Sequence, residues 1–184
     1  MSKLKELMEG FRKNAYKKVQ RNDYSYRQTD DFTVGELTRL LEMYQSKIEE
    51  DQEARLIRDS MDHHIRRYHG YAIEGKINGH YRQIGVDESN CVFEHVIPAT
   101  NVLAMLIEGH LTITQALNTP TCLIKKEDDV ILRKSGLGSS SPDNWNFFKR
   151  YSILDSKFRT YNGHMIENLD NFTLEDHFKL FGIV

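Results

Sequence analysis

Glu94 and His95 stand side by side after a short apolar run, Cys91-Val92-Phe93, and Pro98 follows three residues on. A carboxylate is a hard oxygen ligand of the kind Mg²⁺ or Mn²⁺ takes. A histidine titrates near neutrality and can accept a proton from water. Side chains alternate faces along a strand, but the chain turns at its end, so both groups are expected to face one site. A second apolar run at 121–124 reads as another strand. A helix expected from Lys126 carries Glu127, Asp128 and Asp129 in its first turn, and Asp129 is taken as a second ligand. The bland alternative is that Glu94 and His95 form a satisfied polar pair at a strand end.

The elements that must position these groups belong to a chain of 184 residues, long enough for one domain with a real core. Only 3 Pro and 11 Gly occur, which favours long helices over a many-turned sandwich or barrel. The expected fold class is therefore α+β and mainly helical. The two cysteines, Cys91 and Cys122, make no CxxC pair and no disulfide framework, which fits a reduced cytoplasmic setting. The first residues hold no apolar core of signal-peptide length. The longest apolar cluster is the six residues 102–107, far short of the roughly 20 a membrane span needs. No membrane partner is therefore expected.

Residues 1–21 read as a basic amphipathic helix, carrying Lys3, Lys5, Arg12, Lys13, Lys17, Lys18 and Arg21 against Glu6 and Glu9. A local patch like that can attract a polyanion although the formal net charge is −2. Residues 21–31 read as a linker, leaving 32–184 as a single globular domain. Thr33 and Glu36 fit a capping box at a helix start. The spacing of Leu37, Leu40, Leu41, Tyr44 and Ile48 predicts a long helix, broken near residue 51 and ending before Gly70. Residues 71–90 suggest short strands and turns, and 101–108 a buried helix. Thr112 and Gln115 form a second capping box. Gly136 is expected to close the helix from Lys126. Pro142 suggests the first turn of a helix running to Leu154, and Thr173 opens a last one.

A strand ending in Glu94-His95, then Val96-Ile97-Pro98, then a strand and an acidic helix over 123–132 resembles the ββα-metal (HNH-type) nuclease motif, with T-even phage endonucleases as the point of comparison. The resemblance covers about residues 91–135. It implies a ββα core with Glu94 as first metal ligand, His95 as general base and Asp129 as the helix ligand. The cofactor it implies is Mg²⁺ or Mn²⁺, and the substrate is nucleic acid, DNA first. The sequence departs from the pattern in an insert of about 25 residues between the strands and in lacking zinc-binding CxxC pairs. Asn101 and Asn118 both stay open for the motif's middle Asn.

Outside that segment, His63, His64 and His69 with Arg66 and Arg67 crowd the end of the long helix. A solvated helix end is the plain reading, and a phosphate-contacting face the sharper one. Lys149 and Arg150 follow Trp145, Phe147 and Phe148. Their expected role is to grip a backbone phosphate while the aromatics pack inside. Lys125, Lys126, Arg133 and Lys134 flank the proposed site and can offset phosphate charge. His80, His110, His164 and His177 read as ordinary surface or core residues. Walker, GxGxxG, GxSxG and HExxH motifs do not occur. The leading expectation is a metal-dependent endonuclease. The alternative is a non-catalytic protein that binds nucleic acid or a protein partner. The residues carry no signal for oligomeric state.

Overall fold

Two helices begin the described part of the chain, α1 (Asp31–Gln45) and α2 (Gln52–His69). The computed structural model describes residues 31–47, 52–69 and 79–184. The basic helix expected at 1–21 and the linker after it lie outside those residues. The break expected near residue 51 falls between α1 and α2. The start differs, because Asp31 opens α1 and Thr33 already sits inside it, buried rather than capping. Ala54, Ile57, Met61, Ile65 and Tyr68 recur at three- and four-residue spacing and are all buried, so α2 turns one continuous stripe to the core.

Next come β1 (Tyr81–Gln83) and β2 (Cys91–His95), joined through a 3₁₀ turn at Glu88–Asn90. The insert after β2 is helical, with α3 (Ala99–Ile107) and α4 (Ile113–Leu117). Val102, Leu103, Met105 and Leu106 of α3 are buried, as their nearly all-apolar run requires. At α4 both hydrogen bonds of the Thr112–Gln115 capping box are present. The chain then forms β3 (Thr121–Lys125) and, with no intervening loop, α5 (Lys126–Lys134). Gly136 follows at φ +77°, where a residue without a Cβ is unstrained. Last are β4 (Phe158–Thr160) and α6 (Leu174–Phe181), whose start is closed by a Thr173–Asp176 capping box.

The helix expected from Pro142 to Leu154 is absent. Asp143 accepts hydrogen bonds from the backbone N–H of Trp145 and Asn146, which folds this stretch into an Asx-type turn. Only a 3₁₀ turn at Phe147–Tyr151 follows. Trp145 is exposed, whereas Phe147 and Phe148 enter the core as expected.

The four strands make one sheet in the order β2-β3-β1-β4. β2 pairs antiparallel with β3, β3 parallel with β1, and β1 antiparallel with β4. The hairpin expected from the sequence is thus one edge of a larger mixed sheet. Gly79 leads into β1 where a Cβ would lie 3.1 Å from the backbone of Thr121 and Cys122, so a side chain there would have to push β3 away by a few tenths of an ångström. Buried side chains from Leu37 to Phe178 form one hydrophobic cluster around the sheet. No described helix is long and apolar enough to cross a membrane. The architecture is α+β and mainly helical.

Candidate functional site at the end of strand β2

Strand pairing decides where the two key residues point. Glu94 stands opposite Cys122 and His95 opposite Thr121, in unbroken antiparallel register. Directly opposed residues share a face and neighbours along a strand alternate. Glu94 and Cys122 therefore lie on one face, and His95, Thr121 and Phe93 on the other. The expectation that a turn would bring Glu94 and His95 onto one side is corrected, because β2 stays regular through its last residue.

On the first face, α5 packs against both β2 and β3. It brings Asp129, 8% exposed, into the surroundings of Glu94, 9% exposed. The two carboxylates interact. Burial pushes the Glu94 carboxyl up to about 7, the positive charge of Arg150 opposes this, and Asp129 raises it further. Asp129 is itself ion-paired with Arg133, one helical turn on, whose side chain is largely exposed. Tyr151 O–H reaches toward Glu94 Oε2 at 3.5 Å, and burial beside this carboxylate holds its phenol well above the usual range.

Arg150 corrects a sequence expectation. It is 1% exposed and cannot grip a substrate phosphate. Its guanidinium forms an ion pair with Glu94. Nη1–H donates to the carbonyls of His95 (2.7 Å) and Val96 (2.9 Å), Nε–H to Leu137 (2.8 Å), and Nη2–H to Gly138 (3.0 Å). One planar fork with five donors thus fixes the end of β2 to the loop after α5. A signal for this was not local, because Arg150 lies 56 positions from Glu94. Lys149 remains exposed and pairs with Asp143 at 3.0 Å. Arg66 and Arg67 are exposed on α2, with Arg66 Nε 2.5 Å from Asp62.

On the opposite face the His95 ring lies near two others. The His69 ring centroid is 5.1 Å away and that of Phe93 is 5.9 Å away. His69 was read as part of a solvated helix end, yet it is fully buried, because the C-terminal turn of α2 abuts α4. Of the two asparagines left open, Asn118 is buried and donates to Thr114 O, and Asn101 donates to Asn144. Asn118 is thus tied into the end of α4 and Asn101 to the stretch before the 3₁₀ turn.

One further grouping serves the core. His177 Nε2–H donates to Asn118 O at 2.7 Å and Nδ1 accepts from Tyr81 O–H at 2.8 Å. Complete burial lowers that ring to about 3. An open pocket of about 450 Å³, lined by Ile166, Glu167, Phe172 and Asp176 among others, holds none of the sequence-predicted site residues.

Among the described residues, no three His, Cys, Asp or Glu side chains gather as a ready-made metal cage. Mg²⁺ does not require one, since it keeps several waters and is held by one or two carboxylates plus substrate phosphates. Glu94 and Asp129 supply two interacting carboxylates, so the donor chemistry fits Mg²⁺ or Mn²⁺. No protein-family model, curated protein or solved structure matches the chain.

Proposed function

We propose that the chain is a metal-dependent endonuclease that hydrolyses phosphodiester bonds in nucleic acid, DNA first. The observation that supports this reading is that α5, following β3 without a loop, packs on β2 and β3 and brings Asp129 near enough for its charge to raise the Glu94 carboxyl. The ββα-metal resemblance implies one ligand at a strand end and one on the following helix, and this nearness supports it. Glu94 and Asp129 would hold the cation. When bound, it supplies positive charge to the phosphate oxygens and the leaving oxygen.

The chain's own groups do the rest. Arg150 fixes the Glu94 carboxylate and the backbone of His95 and Val96, so the strand end is rigid when substrate arrives. His95 takes the proton of the attacking water. β2 is the edge strand and His95 its last residue. Arg133, exposed and ion-paired with Asp129, would turn to a phosphate, and Lys149, Arg66 and Arg67 offer further exposed cations.

A second reading is a nucleic-acid-binding protein without catalysis. It is favoured by the arginine partners on both carboxylates and by the opposite faces of Glu94 and His95. A cleavage assay separates the two. Single- and double-stranded DNA and RNA are incubated with Mg²⁺, Mn²⁺ or chelator. Cleavage is expected only with a divalent ion, and His95→Ala is expected to slow it by about 10²- to 10⁴-fold without loss of fold. Binding without cleavage under every condition leaves the second reading.

A further inference from the structure

We propose that His69 is a positioning residue for His95, its buried ring forming the wall that sets the orientation of the His95 imidazole. This rests on the nuclease reading for its catalytic meaning. The residue comes from α2, 26 positions upstream of His95 and outside the segment that resembles the nuclease motif.

Three observations carry it. First, the His69 and His95 centroids are 5.1 Å apart with planes at 49°, close enough for the rings to touch. Second, His69 is 0% exposed, a place where leucine or phenylalanine would fill the volume without a polar group to satisfy. Third, that polar group is used, because Nε2–H donates to Ala116 O on α4 at 3.1 Å, with Thr119 Oγ1 3.4 Å from the same nitrogen. The hydrogen bond fixes the rotation of the ring as well as its position, which packing alone would leave looser. The Phe93 ring, two residues back on the same strand face, also lies against His95, with centroids 5.9 Å apart. A base held this way meets its proton in one geometry, and misplacement of a reacting group by even about 1 Å can cost up to about 10²-fold in rate.

Two variants test it. His69→Gln keeps an N–H donor but removes the ring, and His69→Phe keeps a ring but removes the donor. Both are checked for folding by thermal melting, so that if one fails to fold the other decides. Steady-state cleavage of a DNA duplex with Mg²⁺ is expected to show kcat lowered about tenfold with KM within about twofold. In ¹³C-histidine-labelled protein at one fixed pH, the His95 Cε1–H resonance is expected to shift in both variants, because its neighbouring ring is lost or turned. A folded variant whose His95 resonance matches wild type overturns the proposal. So does a folded variant with wild-type kcat when the wild type cleaves. If the wild type cleaves nothing, the nuclease reading fails, and the resonance alone decides whether His69 sets the His95 ring.

Discussion

Arg150→Met is expected to lower the unfolding free energy by about 3–5 kcal/mol, the range for breaking a buried ion pair from one side. The side chain is 1% exposed, and four backbone carbonyls would lose its hydrogen bonds at once. Glu94 would be left buried, with the like charge of Asp129 the largest influence remaining after burial itself. Removing Glu94's charge as well should restore part of the loss, so Arg150→Met with Glu94→Gln is expected to be less destabilised than the two single effects added. Urea unfolding of the four proteins reads this cycle. A change under about 1 kcal/mol in Arg150→Met would show that the clamp is dispensable.

A second large effect is expected in the pH dependence of stability, and it comes from two groups of opposite sign. His177 is lowered from 6.5 to about 3 by burial. Between those values the unfolded chain binds a proton that the folded chain refuses, so stability is lost as pH falls, by up to about 5 kcal/mol. Glu94 is raised from 4.5 to about 7, mainly by burial. In that window the folded chain keeps a proton that the unfolded chain has released, so stability is lost as pH rises, by up to about 3 kcal/mol. The two slopes oppose each other between pH 4.5 and 6.5. Wild-type stability is expected to be nearly flat there and to fall below it. Asp143 and Asp176, both lowered chiefly by hydrogen bonds to backbone N–H groups, add to the loss on the acid side. Glu94→Gln should uncover the His177 limb, a rise of about 1.4 kcal/mol per pH unit up to 6.5. Urea unfolding from pH 3 to 8 measures both proteins, and parallel curves would contradict the assignment to Glu94.

What the sequence disclosed and what it hid follow the range of the interactions. The capping box at Thr112, the helix start at Thr173, the turn at Gly136 and the apolar run of α3 are set by residues within a few positions, and each stands where expected. The early start of α1 and the missing helix after Pro142 show local signals overruled. In the second case the Asp143 side chain took the N–H groups that would have opened the helix. The site was legible in its types but not in its directions. Adjacent Glu94 and His95 suggested one shared site, and only the register with β3 places them on opposite faces. Arg150 read as a free cation because its partners, four carbonyls and one carboxylate, have no sequence signature. His69 read as a solvated helix end because α4, which buries it, arrives 47 residues later.

Mn²⁺ binding, followed by electron paramagnetic resonance in the wild type, Glu94→Gln and Asp129→Asn, tests the carboxylate pair most directly. The wild type is expected to bind Mn²⁺ in competition with Mg²⁺. Each substitution is expected to weaken binding at least about tenfold, the scale on which even outer-shell partners act. Equal affinity in all three proteins, or nucleic-acid cleavage that persists in chelator, would contradict the proposal that Glu94 and Asp129 hold the cation for this reaction.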